Sequence, residues 1–209
     1  TSPTSLDPTP PATDAAGGGV TDASTAARGT YPVLRWLVAA TFTVILNETI
    51  MVNAIPRLMA EFEVTARAAQ WLSTAFMLTM AVVIPVTGWF LQRVSTRAAF
   101  TVAMSVFGAG TLLCALAPTF PVLVGGRVVQ AAGTAVMMPL LMTTLMTVVA
   151  ERDRGRVMGN VTLAISVAPA LGPALSGVVL GVAGWRWLFL VVLPVVALVS
   201  AAGLRTLEN

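Results

Sequence analysis

From Tyr31 onward, apolar residues run on almost without interruption, and the breaks between runs come at fairly regular intervals. A helix that crosses the hydrocarbon core of a bilayer needs about 20 consecutive, mostly apolar residues. Six stretches meet that requirement, at about 34–56, 70–92, 99–118, 121–150, 157–180 and 187–206. They are long and continuous and lack the alternation of a barrel wall, so six transmembrane helices are expected rather than strands. The fourth is longer than a span requires, and projects beyond the membrane, tilts or kinks at Pro139. Residues 1–30, rich in Pro, Thr, Ser, Ala and Gly, cannot bury enough apolar surface to offset their ordering entropy and read as a disordered tail. They lack the basic and apolar regions of a secretory signal.

Composition excludes most other classes. Only 10% of the 209 residues are charged and 56% are hydrophobic, against about 25% charged in a soluble domain. There is no histidine, which removes His-based acid–base catalysis and His-ligated metals. The single cysteine, Cys114, excludes an intrachain disulfide and a Cys-rich metal or iron–sulfur site, and reads as a small buried hydrophobe. No clustered intramembrane Ser, Cys or carboxylate constellation suggests an enzyme, and no metal site or cofactor is expected. Net charge is only +3, without a dense basic run beside exposed aromatics, so nucleic acid is rejected as a partner. The expected partners are the lipid bilayer and a small-molecule substrate.

Arginine placement orients the spans. Arg28, Arg35, Arg93, Arg97, Arg152, Arg154, Arg156 and Arg205 fall on one side, and Arg57, Arg67 and Arg186 on the other. The positive-inside tendency puts both termini in the cytoplasm of a multi-pass protein of the cell (inner, plasma) membrane. Trp36, Trp71, Trp89, Trp185 and Trp187 all fall near the ends of expected spans, where indoles favour the headgroup region.

Two ionisable residues lie well inside spans, Glu48 in the first and Arg127 in the fourth. Placing such a charge mid-bilayer costs at least about 2.5–3.5 kcal/mol, so both should face a bundle interior or a watery cavity. Counted from Pro56 and Pro121, their depths are roughly 12 and roughly 9 Å, close enough for the side chains to meet. One reading is a permanent ion pair locking two helices. The other is a site whose charge changes as Glu48 alternates between Arg127, water and a cationic substrate. Asn47, Thr49 and Asn53 add polar groups to the first span, although they do not share one narrow face with Glu48.

Small residues mark helix contacts. Ala164, Ala168, Gly172 and Ser176 recur at four-residue steps in the fifth span, and Gly177 and Gly181 form a GxxxG; both patterns suit close backbone approach. Pro169 and Pro173 favour a bend. Met137, Met138, Met142 and Met146 in the fourth span serve either as an adaptable substrate surface or as core fillers.

Four blocks, at Leu46–Pro56, Gly88–Arg97, Leu123–Gly133 and Gly172–Gly177, occur in an order that resembles the N-terminal six-helix half of a major facilitator superfamily transporter, in the fourteen-helix drug:proton antiporter branch that includes lincomycin-resistance-type permeases. The resemblance covers Tyr31 to the end. Leu46-Asn47-Glu48-Thr49-Ile50 with Ala54-Ile55-Pro56 is similar to an LDxTIVNVALP block, with Asn47 at the usual Asp and the acid one place later. Gly88 through Arg97 is similar to the GxLaDRxGRR loop, with Gln92 for the Asp and Ser95 for the second Gly. Leu123, Arg127, Gln130 and Gly133 match RxxQGxG with Ala131 for its first Gly, and Gly172-Pro173-Ala174-Leu175-Ser176-Gly177 resembles the antiporter GPxxGG.

The resemblance implies an all-α bundle of two inverted three-helix repeats. It implies proton-coupled export of lipophilic drugs, driven by the proton gradient without a cofactor. Glu48 and Arg127 are then the proton-coupling residues, and Asn47, Asn53, Gln130 and Met137 the candidate substrate or cavity residues. Gly88, Arg93, Arg97, Gly172, Pro173 and Gly177 are the gating and antiporter-motif residues. Because the family's site lies between two halves, the chain reads as a half-transporter fragment needing a C-terminal half or a second copy. The competing reading is a non-transporting membrane scaffold or sensor built on small-residue helix faces.

Overall fold

A computed structural model describes residues 32–206; the expected tail at 1–30 lies outside them. Six helices are long and apolar enough to cross a membrane: α1 Pro32–Glu61, α2 Ala66–Leu91, α3 Thr96–Ala115, α4 Phe120–Val148, α5 Glu151–Val182 and α6 Arg186–Thr206. In α2 a first turn, Ala66–Ala69, runs through Gln70 into Trp71–Leu91. Among the described residues there are no strands.

Several ends differ from expectation. α1 continues through Pro56 to Glu61, because a proline's cost falls on one hydrogen bond and leaves the next turns intact. It stops where Glu63 takes a positive φ of 50° and Val64 N–H donates to Met59 O at 3.1 Å, the bond that closes a Schellman turn. α3 ends at Ala115, short of the expected 118. α4 is continuous through Pro139 and ends at Val148. α5 begins at Glu151 rather than 157, with Glu151 and Asp153 in the first turn, where their charge complements the helix dipole. Arg154 reaches back and donates to Met146 O (2.8 Å) and Val149 O (3.2 Å), satisfying carbonyls at the end of α4.

The neighbour map has an internal order. α1 packs against α4, α5 and α6; α4 packs against α1, α2 and α3; α3 also meets α6. Exchanging α1 with α4, α2 with α5 and α3 with α6 leaves this set unchanged, while reversing the chain direction of each exchanged helix. That is the pattern of two inverted repeats. α2 and α5 are the least covered helices of the bundle and α4 the most covered. Their outer faces carry exposed apolar residues such as Met77, Val82, Leu163 and Val178, which suit a hydrocarbon solvent or another apolar helix.

Hydroxyls are silenced locally. Thr41, Thr43, Thr49, Thr79, Thr87 and Thr111 each donate to the carbonyl four residues back, at 2.7–3.0 Å. Each such bond settles a polar group that no water would serve in the bilayer core.

The end of the bundle carrying the 62–65, 116–119 and 183–185 connections is tied shut. Phe62 packs on Phe120 (centroids 6.1 Å) and on Trp185 (5.3 Å), which in turn meets Phe189 edge-on (6.3 Å). Arg186 donates to Ala117 O at 3.2 Å. Trp185 is therefore 5% exposed and does not lie at a lipid-facing rim as expected, since the short 183–185 connection turns its indole onto the bundle. Trp71, Trp89 and Trp187, each more than half exposed, keep the rim positions.

Candidate functional site

Arg127 is the largest fully buried side chain among the described residues, 1% exposed at the meeting of α2, α3 and α4. Its guanidinium lies over the Phe76 ring of α2, 4.0 Å from the centroid. One guanidinium nitrogen donates to Gln130 Oε1, one turn along α4. Gln130 in turn donates from Nε2 to Thr111 Oγ1 of α3 at 2.9 Å. The positive charge is thus held by an aromatic face and a chain of neutral dipoles. The Arg127 Nε has no hydrogen-bond partner.

Glu48 does not close on it. Among the described residues the one ion pair is Arg152–Asp153 at the surface, at 3.5 Å. Glu48 is half-buried on the side of α1 that the bundle leaves partly open, where Ile45, Val52 and Ile55 share its three-to-four-residue spacing. It is nonetheless within electrostatic reach of Arg127. Of the two readings, the permanent ion pair is absent among the described residues: Gln130 supplies the nearer acceptor from the same helix. Pro56 does not mark the end of α1, so depth counted from it does not establish the approach, although α1 and α4 do pack against one another.

The other candidates separate. Asn47, one position from Glu48 and about 100° around the helix, points into the core at 2% exposure, and its Oδ1 is unpartnered. Asn53 is exposed and donates from Nδ2 to Thr49 O at 2.9 Å. Gln130 and Met137 are both 0% exposed. Met137 is thus core filler and lines no open surface, whereas Met138 and Met146, at 43% and 44%, present their thioethers outward. Gly88, Arg93 and Arg97 sit at the opposite end of the bundle, all exposed, with Arg93 stacked 4.3 Å over Trp89. Cavities of about 80 and about 230 Å3 lie at the two ends of the bundle, and neither Glu48 nor Arg127 lines them.

Gly172 is a contact residue: a methyl group there would run into Cγ2 and Cβ of Thr49. Ala168, Gly172 and Ser176 form the buried stripe of α5, while Ala164 is exposed. Pro173, Gly177 and Gly181 face away, with nothing within 4 Å of a methyl added at either glycine. The GxxxG pair therefore makes no helix contact among the described residues. Sequence reasoning missed Phe76 and Thr111, because one looks like any apolar span residue and the other like any locally satisfied hydroxyl. It also missed Gly110, whose added methyl would strike the backbone of Gln130.

The superfamily's sequence profile, Major Facilitator Superfamily, matches residues 37–208. The chain belongs to that superfamily. Major facilitator proteins are transporters, which sets the chain apart from enzymes. An uncharacterized major facilitator-type transporter of Bacillus subtilis is 46% identical over 158 residues, 76% of this chain and 34% of the relative. A lincomycin resistance protein of Listeria monocytogenes is 38% identical over 178 residues, 85% of this chain and 38% of the relative. A multidrug resistance protein B homolog of Mycobacterium tuberculosis is 38% identical over 159 residues, 75% of this chain and 29% of the relative. The chain thus spans about a third of the length of the curated relatives it matches. A bacterial homolog of the human lysosomal transporter Spinster, solved inward-facing and unoccupied, shares the fold with a TM-score of 0.71. It is 21% identical, and the match covers 84% of this chain and 42% of that one. As a major facilitator chain with six apolar helices, the protein is an integral membrane protein.

Proposed function

We propose that the chain forms half of a proton-driven antiporter that exports lipophilic, cationic or amphiphilic small molecules. The observation that carries the reading is Arg127: a fully buried guanidinium with no carboxylate at ion-pair distance among the described residues, one helix away from a half-buried Glu48. Stripping a charge of water costs several kcal/mol, which a static fold has no reason to retain without a counter-charge. Intramembrane ionisable groups of this kind mark ion and substrate pathways.

Glu48 takes up a proton from the outer side, and Arg127 modulates how readily it is released. Asn47 keeps a neutral amide in the core at the place where the resembling block has its acid, while the acid one position on reaches the open face. Rocking of this half against a C-terminal half or a second copy then moves the central site between the two sides, with both termini in the cytoplasm. Asn53 and Gln130 contribute polarity near that site. Gly88, Arg93 and Arg97 would act in gating at one end, and the Gly172-Pro173 segment would help to seal the pathway. The driving force is the proton gradient, with no cofactor. The drug-resistance names of relatives support the substrate class. A non-transporting scaffold, in which Glu48 and Arg127 would be mutually compensating, has less support, since the two form no ion pair among the described residues.

The test is efflux driven by an imposed pH gradient in everted vesicles. Glu48→Gln and Arg127→Ala, both still inserted in the membrane, should fall to the level of vesicles without the protein. Unimpaired efflux in both removes the mechanism.

A further inference from the structure

We infer that Phe76 is a positioning residue for proton coupling: its ring face holds the Arg127 guanidinium away from Glu48 until the carboxyl is ready to exchange its proton. This rests on the proton-coupling reading of Glu48 and Arg127 given above. A phenylalanine here has an obvious structural use as a 2% exposed core residue. What goes beyond filling space is its geometry, with the cation centred 4.0 Å from the ring.

The competition around Arg127 is finely set. A desolvated cation–π contact and one hydrogen bond to a neutral amide are each modest holds. The opposing pull is the Coulombic attraction of Glu48, the one carboxylate in reach among the described residues. Cys114 of α3 is the other titratable group in reach, as a buried neutral thiol. α2 offers Phe76, and its arginine, Arg67, stands in the exposed first turn at the helix end. The unpartnered Arg127 Nε gives the guanidinium an unmet bond in the position observed, so that position is not one from which it cannot move. Removing the ring therefore releases the cation toward Glu48. Removing Gln130 or Thr111 would instead expose new unsatisfied polar atoms, which makes Phe76 the cleaner handle.

The experiment measures drug efflux against pH in vesicles carrying the full-length product of the gene. Phe76→Leu keeps an apolar side chain but loses the quadrupole. Its half-maximal pH should move toward acid by about one unit, the tenfold that such a contact supplies. Phe76→Tyr keeps the ring and should retain the parent profile. Should Phe76→Leu fail to insert, ring-fluorinated phenylalanine at position 76 weakens the quadrupole with little change in shape, and should give the same acid shift. Profiles that superimpose on the parent for the leucine or fluorinated protein overturn the inference, as does a tyrosine variant shifted as far as leucine. Glu48→Gln separates the failures: if it still couples to the pH gradient, the underlying reading falls, whereas if it uncouples and the Phe76 profiles do not move, only the role of Phe76 falls.

Discussion

The α3–α4 and α1–α5 seams are both built on glycine, yet they use it differently. At α3–α4, three glycines bring one helix's backbone against the other. A methyl group on Gly133 would lie 2.5 Å from Phe107 N and 2.6 Å from Ala103 O, and one on Gly110 would strike Gln130 N and Cα. A methyl group on Gly126 would lie 2.7 Å from Cys114 Sγ and 3.0 Å from Cys114 N. At α1–α5, one glycine of the buried stripe, Gly172, meets mainly the side chain of Thr49. Backbone cannot step aside, whereas at Thr49 the Cγ2 methyl can turn but the Cβ, 2.7 Å from the added methyl, cannot, so the first seam is a fixed platform and the second a joint that gives only in part. The platform carries Arg127, Gln130 and Thr111, the groups that must keep register with one another. The joint carries α5, whose outer side is left open.

The comparison breaks most sharply at Gly133. Gly133→Ala should cost about 3 kcal/mol, at the upper end of overpacking penalties, read as a loss of folded protein in detergent thermal-shift assays. A stable Gly133→Ala protein would show the platform to be soft. Gly172→Ala should cost less, about 1–2 kcal/mol, and adding Thr49→Ser, which removes the Cγ2 methyl, should recover part of the loss. Additive losses in the double variant would deny that Thr49 is the obstacle. The smallest effect is at the open face: Gly177→Ala and Gly181→Ala meet nothing within 4 Å. Their thermal stability should stay level or rise by about 0.5–1 kcal/mol, through the alanine's better helix propensity. A clear destabilisation would mean that another helix sits on that face.

Much of this architecture is legible in the chain. Six apolar runs specify six spans because a bilayer leaves no other way to satisfy the backbone. The four-residue recurrence of Ala168, Gly172 and Ser176 does mark a buried seam. The same signal misleads at Gly177 and Gly181, since periodicity says that a face is small and not that a neighbour covers it. Met137 and Met138 show the same gap: adjacent thioethers, one fully buried and one 43% exposed, separated only by which side of α4 meets the bundle. Depth along two helices says that Glu48 and Arg127 are close enough to meet, but a guanidinium chooses its acceptor in three dimensions, and Gln130 is nearer.

By itself, the order of residues determined that this chain lives in a membrane, that it carries six runs long and apolar enough to cross one, and that one acid and one guanidinium lie inside those runs. Hydrophobic length and the cost of burying charge are local quantities, and they add along the chain. What only the tertiary structure decided is who touches the charge: Phe76 from α2 and Thr111 from α3 reach Arg127 and Gln130 because helices distant in sequence cross there. Short-range electrostatics depends on such crossings within a few ångströms, and no spacing along one helix encodes them.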